Sequence, residues 1–281
     1  MNSTVVFGAG FVGGKYVEAY PLDSVAANRD HIYSFAPDIL YLRSTVHNYH
    51  PKDGDPYIDV ETNLLHFLRV LNENRKTFST ELTFNLISTW FVYGRTNYPA
   101  KEDSVCNPTG FYSISARARE QLLISYAETF GIKYRIMRLG GVIGIGDHKA
   151  SPKKNALQWM VKEVAQGREV KVYDGDAIRD YIDVRDCVRA IRLVLEKGNL
   201  NEIYNIANGQ GLRISDLVDH ANITGGWKGT VGNMPVPEFH KAVQVPSMYL
   251  DIKKIRDLGY VQQHDIKTSV AELVRHYQSE V

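Results

Sequence analysis

Short apolar runs alternate with helical stretches along most of this chain. Thr4-Val5-Val6-Phe7 is apolar or β-branched throughout, glycines follow at Gly8, Gly10, Gly13 and Gly14, and a helical pattern runs through Tyr16, Val17 and Ala19. That order predicts a strand, a tight turn and a helix. Residues 23–28 read as a short second strand. Residues 30–36 leave room for only about two helical turns before a buried parallel strand at 37–42. Residues 48–56 are loop-like, and 57–74 carry helically spaced apolar residues at Val60, Leu64, Phe67, Leu68 and Leu71. Asn63 interrupts that helix, where an asparagine is neutral to poor and suggests a polar task. A buried strand follows at 82–87, then a loop to Gly110, a long helix at 111–130 capped by Gly131, and a strand at 133–139. Strand and helix alternate with no hairpin signal, which predicts an α/β protein with a Rossmann-type, doubly wound parallel sheet.

Past residue 140 the pattern changes. Residues 140–146 are glycine-rich without an immediate helix, and 147–154 are polar. The polar stretch reads as a mobile substrate-side loop, with a second phosphate cradle and an ordinary surface loop as alternatives. Helices are expected at 155–166, 186–195, 215–221, 251–258 and 267–278, and strands at 170–173, 181–184 and 203–206. The expected division is a dinucleotide-binding domain over 1–140 and a smaller C-terminal α/β substrate lobe over 141–281. Segments near 178–206 are candidates to return to the first domain.

A hydrophobic fraction of 44% and a charged fraction of 23% place the chain among globular proteins. A net charge of +1, with no basic stripe carrying interleaved aromatics, argues against nucleic acid as a partner. No apolar run approaches the roughly 18 residues of a membrane span, and the start of the chain lacks a leader pattern. Two cysteines, Cys106 and Cys187, provide neither a disulfide framework nor metal spacing, so no metal and a reducing cytoplasm are expected.

The glycine turn carries the first chemistry. Gly8 and its neighbours permit a sharp turn, Gly10 without a Cβ admits a pyrophosphate, and Gly13 lets the helix lie close to the strand. Phe11 and Val12 then open a helix whose free N–H groups face the phosphates. A turn that only packs a helix on a sheet is the alternative. Asn28 and Arg29 stand at the end of the second strand, where an acidic residue would favour NAD. Arginine pairs with a 2′-phosphate, so NADP is preferred, with NAD as the alternative and a solvated Arg29 as the other reading. Arg43 ends the third strand on the ligand edge, as a phosphate contact or as a strand-end charge. Thr89 at a strand's carboxyl end and Tyr112 at the start of the following helix form a hydroxyl pair. Such a pair suits proton transfer at a carbinol oxygen beside a nicotinamide.

Several stretches resemble the extended short-chain dehydrogenase/reductases, in particular the NAD-dependent epimerase/dehydratase family that modifies nucleotide-sugars. They are Ser88-Thr89-Trp90-Phe91-Val92-Tyr93-Gly94, the helix from Phe111-Tyr112 to Glu120, Arg138 to Gly146, Val172 to Tyr181, Asn205 to Gly209, and Leu250 to Tyr260. The likeness covers nearly the whole chain. It implies Tyr112 as acid/base, Thr89 as its hydroxyl partner, and Ser88 and Asn63 on the cofactor side. Arg179 would hold a substrate diphosphate, and Tyr93, Gly141, Asn155 and Tyr173 would face the substrate. It also implies a homodimer through the helices at 57–74 and 111–130.

The departures are informative. Phe7 holds the place of the glycine motif's first glycine, so the turn is expected to be tighter or shifted. Ala116 stands where the family lysine follows the tyrosine, and Arg117 and Arg119 lie about 500° and 700° around the helix from Tyr112, against about 400° for that lysine. Three accounts stay open: a change introduced at position 116, substitution by another group such as Arg43, or a protein without catalysis. Trp90 and Phe91 replace the acidic pair of sugar dehydratases, which argues against dehydration. Gly141 replaces a substrate-side asparagine. The expected function is reduction of a 4-keto nucleotide-sugar. Nucleotide-sugar 4-epimerisation and non-catalytic binding of cofactor or nucleotide-sugar are the alternatives.

Overall fold

The computed structural model describes residues 4–45, 55–152, 154–174, 177–243, 245 and 247–280. Most of the loop expected at 48–56 lies outside the described residues, as does Gly175. The first half contains β1 (Thr4–Phe7), α1 (Phe11–Ala19), β2 (Ser24–Ala26), β3 (Asp38–Tyr41), α2 (Pro56–Val60), α3 (His66–Phe78), β4 (Thr83–Thr89), α4 (Phe111–Phe130) and β5 (Lys133–Leu139). These five strands and β10 (Glu202–Ile206) form one parallel sheet in the order β10-β5-β4-β3-β1-β2. Strand β1 has β2 on one side and β3 on the other, so the strand order reverses beside it. The crevice outside the carboxyl ends at such a reversal is where open α/β sheets bind ligands.

Both sheet faces are covered, which is why its strands are nearly continuous apolar runs. The alternation of side chains along β1 divides the core. Val6 joins Tyr16, Val188, Ile191 and Val194 on the side of α1 and α6 (Val184–Lys197). Val5 and Phe7 join Phe67, Leu71 and Leu123 on the side of α3 and α4.

A separate core lies in the second half. There α5 (Ala156–Ala165), α7 (Ile214–Thr224) and α10 (Ile266–Ser279) bury Val161, Leu217, Leu273 and their neighbours. They pack with β7 (Glu169–Tyr173) and β9 (Tyr181–Asp183). Short pairings complete this half: β6 (Gly141–Ile143) with β9, β8 (Ile178–Arg179) with β11 (Leu212–Arg213), and β12 (Thr230–Met234) with β7. The helices α8 (Glu238–Val243) and α9 (Lys253–Asp257) lie between α7 and α10 in the chain.

Three expectations are corrected. Residues 30–36 form no helix. The buried Asn74 amide donates to Ile32 O and accepts from Ser34 N–H, both at 2.7 Å, and holds the segment in a non-helical path. The helix expected at 57–74 is interrupted by a π-turn at Glu61–Leu65 before α3 carries it on to Phe78. Asn63 lies in that wide turn, donates to Thr45 O and Ser115 Oγ at 3.0 Å each, and accepts from Thr45 N–H at 2.8 Å. Strands β6, β8, β11 and β12 and helix α8 were not anticipated. They are two to six residues long, too short or too glycine-interrupted to show a period.

Candidate active site

Each glycine of the first turn has a distinct geometry. Gly8 adopts φ +100°, and a Cβ there would lie 2.5 Å from Arg43 N, so only glycine lets the ends of β1 and β3 approach. A Cβ on Gly13 would meet Gly8 O at 2.4 Å, so α1 rests directly on the turn. Nothing lies within 4 Å of a Cβ on Gly10, which leaves that backbone open to a ligand. Phe7 is the last residue of β1, paired with Tyr41. The position of the family's first glycine therefore belongs to the strand, and Gly8 makes the left-handed turn. No side chain caps α1. Its first N–H groups face the cleft without a side-chain partner, as an anion requires.

A cleft of about 1870 Å³ runs from this turn to the second half of the molecule. That exceeds the ~1,000 Å³ at the upper end for one small ligand. Gly8, Gly10, Phe11, Val12, Gly13, Asn28, Arg29 and Arg43 line its first end. Arg43 Nη1 donates to Arg29 O and to His66 Nε2. Ser88, Thr89 and Tyr112 line its middle. Thr89 ends β4 and caps the 3₁₀ turn Trp90–Tyr93, its Oγ1 accepting from Phe91 N–H at 3.3 Å. The hydroxyl proton of Thr89 stays available to a ligand oxygen. Tyr112 sits in the first turn of α4, and the Phe91 ring meets its ring edge-on at 6.1 Å between centroids. Trp90 and Phe91 stack at 3.9 Å, and the Arg179 guanidinium lies 5.2 Å from the Trp90 ring centre. The middle of the cleft is thus an aromatic wall with hydroxyls on one side and a guanidinium on the other.

At the far end Gly141, Asn155, Tyr173 and Arg179 also line the cleft. A Cβ on Gly141 would lie 2.6 Å from the Tyr181 ring, which fills the space an asparagine side chain would take. Asn155 donates to Val142 O and Asp147 Oδ2 at 3.0 Å each, which pins α5 to the loop before it. Tyr173 packs edge-on to His240, with centroids 5.0 Å apart. Asp180 is buried behind this wall and accepts from the backbone N–H groups of Asn208, Gly209 and Leu250. Burial pushes its pKa up to about 7, against the pull of those N–H donors.

Three candidates do not line the cleft. Asn63 is buried at the π-turn. Tyr93 is buried, with its hydroxyl donating to Asn205 at 2.6 Å. Ala116 is 1% exposed, and its methyl joins the apolar core. Beneath Ser88 lies a buried ionic cluster. Arg138 donates to both oxygens of Glu120, at 3.1 and 2.8 Å, while Ser88 Oγ and Arg117 Nη1 also donate to that carboxylate. Burial opposes the Arg138 charge, but Glu120 outweighs it and holds the pKa above the usual arginine value. Arg119, 1% exposed, donates to Arg43 O and Ile87 O and so joins the ends of β3 and β4.

Sequence reasoning missed Lys15, Lys149 and His66. Lys15 and Lys149 line the cleft, and a Cβ on Gly146 would touch Lys15 Cε at 2.9 Å. A basic residue one turn into the helix after a glycine turn was a usable signal for Lys15. His66 carried none, because its partners are remote in sequence.

Residues 8–207 match the NAD dependent epimerase/dehydratase family. The chain is 29% identical to the GDP-6-deoxy-D-mannose reductase of Pseudomonas aeruginosa over 170 residues, 59% of this chain and 56% of that protein. Its fold matches the structure of RMD from Pseudomonas aeruginosa complexed with NADPH, with TM-score 0.85, 21% identity and all of both chains covered. It also matches the UDP-glucuronic acid 4-epimerase of Bacillus cereus in complex with UDP-glucuronic acid and NAD, with TM-score 0.84, 20% identity and 99% and 100% of the two chains covered.

Proposed function

This chain belongs to the NAD dependent epimerase/dehydratase family, and on that premise we propose that it is an NADP-dependent reductase of a 4-keto nucleotide-sugar. The observation that carries the reading is one cleft holding the glycine turn, Thr89, Tyr112 and Arg179 together. The open face of Gly10 and the uncapped start of α1 fit a pyrophosphate, and Arg29 fits a 2′-phosphate. A nicotinamide dinucleotide bound there supplies hydride. Tyr112 gives a proton to the carbonyl oxygen as it becomes a hydroxyl, and Thr89 holds the same oxygen. Trp90 and Phe91 keep water from this point and offer no acid or base for dehydration. Arg179 and Lys149, which line the same cleft, are the cations suited to hold the diphosphate. The relatives include both a reductase and 4-epimerases, and the assay separates the two.

The test is NADPH oxidation with a panel of UDP-, dTDP-, CDP- and GDP-linked 4-keto sugars. Net oxidation with one nucleotide series supports the reductase. Interconversion of the corresponding 4-hydroxy nucleotide-sugars with oxidised cofactor, and no net change in cofactor redox state, replaces it with the epimerase reading. The buried Ala116 favours a second reading, a protein that binds cofactor and nucleotide-sugar without turnover. Tight binding with no reaction across the panel selects it.

The same family membership supports a homodimer. Tyr57, Ile58, Leu65, Ile114 and Leu122 are exposed on or between α2, α3 and α4, an apolar surface suited to a four-helix interface. A monomer mass by light scattering at micromolar concentration excludes it. Among the described residues no helix is long and apolar enough to cross a membrane.

A further inference from the structure

We propose that Arg43, held by a Tyr41–His66 relay, reads the 2′-phosphate of the cofactor together with Arg29. This rests on the dinucleotide reading above and adds the residues that set its specificity. Arg43 follows β3 at the reversal of strand order, and its backbone passes over Gly8. From there its side chain crosses to the end of β2, where Nη1 donates to Arg29 O. The guanidinium therefore lies at the adenosine end of the cleft, beside Asn28 and Arg29.

The hydrogen bonds define how it is held. Nη1 also donates to His66 Nε2 at 3.0 Å, and His66 Nδ1 lies 3.0 Å from Tyr41 Oη. A guanidinium only donates, so Nε2 carries the lone pair and Nδ1 carries the proton, which it gives to Tyr41 Oη. Tyr41 is itself fixed between the rings of Phe7, Phe67 and Phe84, at 5.6 to 6.3 Å between centroids. A rigid core residue thus positions a charged group at the cleft surface. Burial, aided by Arg43 and Arg69, pulls the His66 pKa down to about 4, so the imidazole stays a neutral acceptor.

The arrangement lacks the features of an NAD site. Asn28 and Arg29 follow β2 where an NAD site would place an acidic residue. Among the described residues no carboxylate lies within ion-pair distance of Arg43; Asp30, next to Arg29, is exposed, and its charge partly offsets the downward pull on the His66 pKa. Arg43 Nε and Nη2 donate to no described residue and remain as a fork. Two guanidiniums whose remaining donors are taken by no described residue fit a dianionic phosphate monoester better than a ribose hydroxyl.

The test is titration calorimetry with NADPH, NADH, 2′,5′-ADP and 5′-AMP on the wild type, Arg43→Met, Arg43→Lys, His66→Ala and His66→Gln. Thermal melts confirm that each variant is folded. The wild type should bind 2′,5′-ADP more tightly than 5′-AMP. Arg43→Met should weaken NADPH by about tenfold to a hundredfold, the worth of a charge-assisted hydrogen bond, while NADH changes less than about threefold. Arg43→Lys should fall between, since it keeps the charge and loses the fork. His66→Ala should weaken NADPH selectively, and His66→Gln, whose amide oxygen can accept from Arg43, should restore it. Equal losses of NADPH and NADH, or no loss in Arg43→Met, would overturn this inference and leave the dinucleotide site standing. If the wild type binds neither NADPH nor NADH, the dinucleotide reading falls and this inference with it.

Discussion

Replacing Glu120 with alanine is the most direct probe of how the site is supported. The Arg138 and Glu120 side chains are 1% and 0% exposed and make a two-pronged pair. Without the carboxylate, the Arg138 guanidinium stays in the core with Glu102 O at 3.1 Å and the Tyr93 ring face at 4.6 Å. Neither neutralises it, and the Ser88 hydroxyl loses its acceptor. Breaking one side of a buried pair costs about 3–5 kcal/mol. Arg117, which is one-quarter exposed, adds little, since water takes over its partner's role. At about 2–4 °C per kcal/mol the melting temperature should fall by about 6–20 °C, with the length of this chain favouring the lower half. Urea unfolding followed by circular dichroism gives the free energy. The double variant Glu120→Leu with Arg138→Met removes both charges and should be more stable than the sum of the singles by at least about 2 kcal/mol. A single-variant loss below about 1 kcal/mol, or strict additivity in the double, refutes the claim that this pair is desolvated and coupled.

Three further outcomes are expected. Gly13→Ala places a methyl 2.4 Å from Gly8 O; it should cost about 1–3 kcal/mol in stability and weaken dinucleotide binding, and a variant that melts and binds like the wild type would show that α1 does not rest on the turn. Ala116→Lys should raise turnover at neutral pH by about a hundredfold if Tyr112 is the acid/base and lacks only its charged neighbour, and an unchanged pH–rate profile in a folded variant excludes that role. His66 has its pKa lowered from 6.5 to about 4, so the unfolded chain takes up this proton first as pH falls. Its contribution should therefore be fully present above about pH 6.5 and lost between there and pH 4. Because the imidazole is only half-buried, the effect should be a fraction of the full shift. Melts at pH 7 and pH 5 should differ less in His66→Gln than in the wild type, and an equal difference would show that the imidazole is not held neutral.

Local rules made much of this molecule readable in advance. Strand β1, the glycine turn, α4 with Gly131 at its end, and β5 follow from residue types acting over a few positions: apolar runs, missing Cβ atoms and a left-handed cap. The family likeness rested on the same kind of contiguous stretch, as did the choice of Thr89 and Tyr112. What the sequence left open depends on residues far apart in the chain. The placement of β10 beside β5, the non-helical path of 30–36 imposed by Asn74, and the π-turn around Asn63 each come from hydrogen bonds to distant backbone. Charge was the least legible property. Nothing in the contiguous sequence marks Glu120 and Arg138 as partners, and only the packed sheet shows them desolvated against each other. Arg43 stayed open between a phosphate contact and a strand-end charge, and the fold alone placed His66 against it. The sequence by itself determined which segments become strands, helices and glycine turns, because those choices are settled within a few residues. The tertiary structure alone decided which polar groups lose water and which partners they find, because burial is a property of the whole packed chain.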